Sequence, residues 1–531
     1  MRAVLALLLF VSGLAFAEEP ARVDIPEHLA AEYAQMQKAS VAAVDGQCGE
    51  SIAILPAVVD GPTFTEYPEE VQRTVLQIVL NCALRANDRA KSISLIYRLL
   101  EYEGVDRRNL LEALLTIGTA ERRPTVGADG VIGLAEHDPT MLSVIDAQLL
   151  YELYAQILAS TLGEEFRYRF LHALYNSGYT PPNPFHSADE FFVDYAAMAI
   201  DRGDPELARK VVLELNDPGM LVRVRIDRRF DLIRQDGSLE DFLDLEAAAQ
   251  REIERLRVLV EQHPKMALGY LQYAKALAGA NRFQEALDVI EPVAWKIRTP
   301  IINRMYVDVD ASKGWVLREY STALERLKYP EQAGAMWTEA VVDPDLVDPA
   351  DFVLDETNGP HAIDLANRAF WAGAFDFALG FTLMLDEAGA TPYGEMFVKA
   401  INVCANAMKK PPGDYMPALN YLVEHERENP GAMIQAYLCL DDLDAAAAYS
   451  KLRLARPDQR ANALLSLQYM DREKEIQRLS HEHSPSDDLT PGHLMWDRYA
   501  ALKARDDVQA AVEKVGRFDE IPLDSSVWHR Y

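Results

Sequence analysis

Cysteine is scarce: four in 531 residues, at Cys48, Cys82, Cys404 and Cys439. They stand too far apart for a zinc site, which draws its ligands from closely spaced pairs. Catalytic signatures are lacking as well. The chain has no GxSxG elbow, no Walker A phosphate loop, no HExxH helix and no CxxC redox pair. Tryptophan is down to six, few for a cleft that stacks sugar rings. Basic side chains fall short of acidic ones, 53 against 83, giving a formal net charge of −30. That balance repels phosphate backbones and anionic lipid, and so excludes nucleic acid or a membrane surface as the main partner. Beyond the first seventeen residues no apolar run approaches the ~20 residues that a membrane-spanning helix requires. Alternating strand patterns are missing too. The 49% hydrophobic content nevertheless excludes a disordered chain.

What is present begins with a leader. Met1 to Ala17, MRAVLALLLFVSGLAFA, has one basic residue, Arg2, an apolar run, and the small-x-small site Ala15-Phe16-Ala17 before Glu18-Glu19. This predicts a secretory signal peptide cleaved near Ala17 and a periplasmic or secreted mature chain. A chain of this length exceeds one compact core, so it must divide into domains or grow as a stack. By pattern it divides into the leader (1–17), an irregular helical region (18–190), a repeat region (191–457) and C-terminal hairpins with a tail (458–531). Helices are expected over 69–85, 89–102, 107–117, 141–160 and 164–175. Long connections are expected over 122–139, where Gly127, Gly130 and Gly133 stand, and over 179–186, YTPPNPFH. A single amphipathic helix is expected over 239–263, capped by Ser238.

The most informative stretch is Gly269 to Pro292, GYLQYAKALAGANRFQEALDVIEP. Apolar residues recur at helical spacing on both sides of the break at Asn281-Arg282. Small Ala274 and Ala286 stand where two helices must approach closely. The stretch resembles a tetratricopeptide (TPR) repeat. The same signature, a small residue in the second helix with an aromatic, apolar residue or Pro three places before it, recurs as Pro205/Ala208, Phe283/Ala286, Pro330/Ala333, Phe375/Ala378, Tyr415/Ala418 and Leu443/Ala446. A turn residue precedes each alanine by five, with Lys328 the exception. Twelve before stand Ala196, Ala274, Ser321 and Ala366, with Asn406 and Ile434 departing from the rule. The resemblance implies an all-α solenoid of TPR-like hairpins, irregularly spaced, whose first helices line a surface for another protein or peptide. Its groove positions fall on Lys275, Arg318, Asn367 and Lys410, with Trp371 as the aromatic and Thr322, Glu325 and Gln435 ranked lower. Three cations there suit an acidic segment or a free C-terminal carboxylate of a partner.

Further features carry chemistry. Asp308 to Glu319, DVDASKGWVLRE, resembles an EF-hand calcium loop, with Asp308, Asp310, Ser312 and Glu319 at the positions that would ligate calcium and Trp315 at the apolar one. Lys313 replaces the turn glycine, so the competing expectation is a helix cap, with no cofactor at all. Asp129-Gly130 with Ile132 and Glu136 is a half match. His481, His483 and His493 could meet a divalent metal, and Asp343 to Glu356 is an acidic run that reads as a solvated connection. The cysteines predict two disulfides, because Cys48 and Cys82 stand 34 apart and Cys404 and Cys439 stand 35 apart, each close to one repeat. Equivalent positions of successive hairpins lie on neighbouring helices within cystine reach. The rival architecture is an (α/α) toroid acting on polysaccharide, with paired carboxylates in a Trp-lined cleft.

Overall fold

The computed structural model describes residues 25–44, 46–235, 237–299, 305–341, 358–388, 391–470 and 491–524. The leader, the acidic run Asp343 to Glu356, His481, His483 and residues 525–531 lie outside the described residues. The chain forms two compact units, Met1–Asn183 and Pro184–Tyr531. The boundary falls inside the proline-rich stretch, shortly before the expected position 190. Residues 458–524 belong to the second unit together with the repeat region. Among the described residues, no helix is long and apolar enough to cross a membrane.

The first unit pairs α1 (Ala30–Val44) with α2 (Cys48–Val59), α3 (Glu69–Arg85) with α4 (Arg89–Leu100), and α5 (Arg107–Ala120) with α6 (Pro124–His137), and then sets α7 (Ala147–Ala159) and α8 (Glu164–Asn176) each against α6. In the second unit α9 (Asp189–Asp201) pairs with α10 (Pro205–Leu213). Then come α11 (Pro218–Ile226), α12 (Asp231–Arg234) and α13 (Leu245–Gln262). Five hairpins follow: α14 (Ala267–Gly279) with α15 (Phe283–Arg298), α16 (Val309–Arg326) with α17 (Pro330–Val341), α18 (Gly359–Trp371) with α19 (Phe375–Ala388), α20 (Pro392–Met408) with α21 (Met416–Glu424), and α22 (Pro430–Cys439) with α23 (Leu443–Ala455). The chain closes with α24 (Arg460–Ser466), α25 (Pro491–Lys503) and α26 (Asp506–Val515).

Three local devices make these hairpins. A single left-handed residue reverses the chain: Asn87, Arg122, Asn281, Lys328 and Asp441 take φ of 57°, 52°, 60°, 69° and 62°, and Gly203 and Gly373 do the same. An acid then starts several second helices, Asp88, Asp204 and Asp442 each accepting the amide N–H three residues on, which is one use of the acidic surplus. Small residues then let the helices close. Ala208, Ala286, Ala333, Ala378 and Ala446 are fully buried, as are Ala196, Ala274, Ser321 and Ala366 opposite. Ser321 hides its hydroxyl by donating to the Ala333 carbonyl at 2.6 Å. From α13 to α17 the buried faces form one core, in which Ile253 and Leu256 join Leu277, Leu287, Ile290 and Leu317.

Three expectations change. The helix expected from Met141 begins at Ala147, because Asp146 caps it by accepting the Gln148 N–H, and residues Pro139–Val144 before it form a 3-10 turn. Residues 124–137, expected within a long connection, form α6. Gly127, Gly130 and Gly133 recur every three residues on one face, and a Cβ at Gly130 would lie 2.6 Å from the Leu111 carbonyl oxygen and the Leu115 nitrogen. The glycines therefore admit α5 to close contact rather than break the helix. The helix expected from Leu239 begins at Leu245, because Asp244, not Ser238, caps it by accepting the Ala247 N–H.

Each unit holds one disulfide. Cys48 pairs with Cys82 (Cα–Cα 5.3 Å) and Cys404 with Cys439 (5.0 Å), the latter joining the first helices α20 and α22.

In the second unit residues 516–524 are seated against the repeats. Strand β1 (Tyr469–Met470) pairs in parallel with β2 (Glu520–Ile521). Arg225 binds Asp519 at 2.8 Å, the Arg517 amide donates to the Ile226 carbonyl, the Asp524 amide donates to the Gly279 carbonyl, and Arg326 binds Asp524. Ile521 and Leu523 are buried. Residues 516–524 thus strap α11 to the C-terminal ends of α14 and α16, and α11 also packs on α24.

Candidate functional site

Each first helix of the second unit turns its thin face to its own second helix, which leaves another face free to meet the neighbouring first helices. On that face α14, α16 and α18 bring together a set of cations and rings. Lys275 Nζ lies 5.6 Å from the Trp315 ring, and the Arg318 guanidinium lies 5.2 Å from Trp315 and 5.6 Å from Trp337 of α17. Arg368 stacks at 4.3 Å on Trp337 and pairs with Glu325. Such cation–ring contacts are each worth about 0.5–2 kcal/mol, more when desolvated. Arg318 also binds Asp364 at 2.5 Å.

His361 lies beneath this layer. Its ring meets Trp315 edge-on at 4.5 Å, and Gly314 makes room for it, since a Cβ there would fall 2.3 Å from Nε2. His361 Nδ1 and Glu319 Oε1 are buried without a hydrogen-bond partner. Burial, then Arg318 and Lys275, push the His361 imidazole down to about 4. Burial raises the Glu319 carboxyl. It raises Asp364 too, while Arg318 and Lys275 pull that carboxyl back.

The charged part continues into an amide part along α18. Asn367 Oδ1 accepts from Trp371 Nε1 on its own helix and from Gln435 Nε2 of α22, both at 3.1 Å. The Trp371 ring packs on Trp496 of α25 at 5.7 Å. Beside it, Arg498 of α25 donates to the Leu438 and Cys439 carbonyls at the end of α22.

Of the groove residues expected from the repeat, Lys275, Arg318, Asn367, Trp371 and Gln435 join this first-helix stripe, and Glu325 joins through Arg368. Thr322 bonds back to the Arg318 carbonyl. Lys410 is exposed in the connection after α20, and no described contact links it to the other four. Trp315, His361 and Asp364 escaped the register, although two of them carried a signal. Trp315 stands three residues before Arg318 and Asp364 three before Asn367, one helical turn along the same faces.

The EF-hand resemblance does not carry into the structure. With Lys313 where the loop needs glycine, the segment continues as α16, and its ligand positions spread along a helix at ~1.5 Å per residue. The Asp308 carboxylate accepts from the Ala267 and Leu268 amides at 2.8 and 2.9 Å, so it caps the start of α14. Asp310 is exposed, Ser312 donates to the Asp308 carbonyl, and Glu319 is buried. Asp129 of the half match lies in α6, accepting from Tyr97 at 2.7 Å. His493 lies in α25. Among the described residues no group of three His, Cys, Asp or Glu is placed to hold a metal.

The chain is therefore an all-α stack of TPR-like hairpins with a mixed polar and aromatic stripe on its first helices. No protein-family model matches it. No curated protein matches it either. Solved structures similar to it include the APC/C hetero-tetramer Cut9–Hcn1 (12% identity, TM-score 0.27, covering 91% of this chain and 89% of that one). Others are Naa15/Naa10 bound to HypK-THB (11%, 0.29, 89% and 80%) and a circular tandem repeat protein (11%, 0.16, 97% and 98%). At these scores the fold rests on the chain's own helices.

Proposed function

We propose that this chain is an exported, non-enzymatic scaffold that binds a segment of another protein along the first-helix stripe. One observation carries the reading: side-chain contacts join Lys275, Trp315, Arg318 and Asp364, and Asn367 one turn further along α18 meets Gln435, so that the stripe draws on four first helices, α14, α16, α18 and α22. Stacked hairpins bind through such surfaces and need no catalytic constellation. The charge on the stripe is balanced by Asp364 and Glu325, so an acidic side chain or C-terminal carboxylate of the partner engages Arg318 by exchanging with Asp364. Glycan cleavage would need two reachable carboxyl groups; Glu319 is sealed by its surroundings and Asp364 is held by Arg318. The two cystines suit an oxidising compartment and support export.

A photo-crosslinking residue at position 275 or 435, compared with positions 284 and 376 on second helices, tests the reading in native extract. Adducts to one dominant protein from the stripe alone are expected. Adducts from the second-helix positions alone, or equally from both, overturn it. Sequencing of the mature N-terminus should begin at Glu18.

A further inference from the structure

Arg453 of α23 is a buried cation with no anion beside it. It is 9% exposed, its Nε has no hydrogen-bond partner, and no carboxylate among the described residues pairs with it. Other enclosed arginines of the same unit are matched: Arg223 holds Asp194, and Arg229 holds Asp227. Burial pushes the Arg453 guanidinium down, and only the Tyr499 and Tyr393 phenols act against that. A guanidinium nevertheless keeps its proton in proteins. A buried charge without a counter-charge is destabilising, so this one calls for an anion.

The side chain is aimed at the start of α22. A Cβ on Gly431 would lie 3.9 Å from Arg453 Nη1. Asn429 caps α22 by accepting the Ala432 N–H, and its Nδ2 lies 3.5 Å from the Tyr393 carbonyl oxygen, which brings the first turn of α20 alongside. Pro430 has no N–H to give, and the Gly431 N–H has no acceptor among the described residues. From the other side α25, which carries Tyr499, packs on both α22 and α23. Helix starts favour anions through their free amides and their dipole. Here a fixed guanidinium adds a full charge at the same point.

These donors set the chemistry of the ligand. The guanidinium fork fits two oxygens in one plane, the geometry of a carboxylate. One cation and about half a charge from the helix start balance a single negative charge. A doubly charged phosphate would be left in excess, and Glu190, whose charge reaches Tyr393, would repel it. We propose that Arg453 and the start of α22, with the Tyr393 and Tyr499 phenols, bind a small free carboxylate monoanion. The guanidinium comes from a second helix, and the proposal does not depend on the scaffold reading.

The probe is trifluoroacetate, followed by its 19F line width on the full-length protein at constant ionic strength. Saturable broadening with half-saturation in the millimolar range is expected, as suits so small a ligand. Acetate and propionate should displace the probe, while acetamide, of the same shape but uncharged, should not. Arg453→Met should lose the saturable broadening and, relieved of an unpaired charge, unfold at a higher urea concentration than the wild type without probe. Arg453→Lys, which keeps the charge but not the fork, should bind about tenfold more weakly. No saturable broadening in the wild type overturns the site. Displacement by phosphate at lower concentration than by acetate, or by acetamide at all, overturns the carboxylate assignment. Broadening that survives Arg453→Met overturns the role of this arginine. The displacement series uses the unaltered protein, so it decides the matter even where a variant misfolds.

Discussion

Gly314 and His361 belong to different hairpins, and each is fixed by the other. A methyl group at position 314 would fall 2.3 Å from His361 Nε2, and the imidazole is held against Trp315 at 4.5 Å. Gly314→Ala should therefore cost about 1–3 kcal/mol by urea unfolding, the usual range for overpacking. The cost should largely disappear in a His361→Ala background, because the clash has a single partner. The same burial sets a pH dependence. The folded imidazole titrates near 4 against 6.5 when unfolded, pushed down first by desolvation and then by Arg318 and Lys275. Between those values the unfolded chain binds the proton and the folded chain does not, so stability falls as pH falls from about 6.5 to 4. Relative to His361→Asn, the wild type should lose on the order of 3 kcal/mol across that window; a difference that stays flat with pH would contradict the buried neutral imidazole. The helical register pointed to Lys275, Arg318, Asn367 and Trp371. His361 was invisible to it, because one histidine on an amphipathic helix carries no sign of which ring it will meet in another hairpin.

At the level of helices and turns, glycine means opposite things at two places. In α6, Gly130 sits against the backbone of α5, where a Cβ would meet Leu111 O and Leu115 N at 2.6 Å. Helix propensity favours Gly130→Ala by about 1 kcal/mol, but main-chain atoms cannot move aside, so the exchange should destabilise by about 2 kcal/mol net or more. At the α16–α17 turn the reverse holds. Lys328 takes φ 69° where Gly203 and Gly373 serve equivalent turns, and the left-handed conformation costs a side-chain-bearing residue roughly 1–2 kcal/mol. Lys328→Gly should stabilise by about 0.5–1 kcal/mol once the extra chain entropy of glycine is counted. Equal or opposite signs for these two exchanges, measured by denaturant unfolding, decide the account. They also explain what was legible. The alanine signature located the hairpins from 205 onwards. In the first unit Ser92 and Gly127 stand three residues inside α4 and α6, five after the left-handed Asn87 and Arg122, in the place that alanine takes elsewhere. Ser92 is fully buried and donates to the Asp88 carbonyl. Any residue small enough to admit the partner helix will do, so a search for alanine passed over these two hairpins, and three spaced glycines read as a loop.

Over the second unit, cross-links between distant parts of the chain supply what local pattern does not. The Cys404–Cys439 cystine spans 35 residues, and closing such a loop is worth about 3–4 kcal/mol in the chain-entropy model. Denatured, unreduced protein should titrate no free thiol, whereas two would leave one cystine standing. The strap is a cross-link without a covalent bond, and its strength can be placed on particular atoms. Asp524 is 3% exposed and its partner Arg326 13%, with N–O contacts of 2.7 and 2.8 Å. A pair so enclosed adds modest net stability over an apolar filling, but removing one member leaves a buried charge uncompensated, at a cost of about 3–5 kcal/mol. Arg326 lies also over the Phe283 ring at 5.5 Å, a contact that survives the change and offsets part of it. Asp524→Ala should thus cost about 3 kcal/mol, localised rather than global. The Asp524 amide would lose its anchor on the Gly279 carbonyl, and the two-residue pairing of Tyr469–Met470 with Glu520–Ile521 would open more often. Amide hydrogen exchange should then accelerate over 516–524, while α4 and α5 of the first unit keep their native protection. Unchanged exchange over 516–524 would mean that buried Ile521 and Leu523 hold the strap by themselves. In that case Leu523→Ala, not Asp524→Ala, would be the substitution that frees α11 from the ends of α14 and α16.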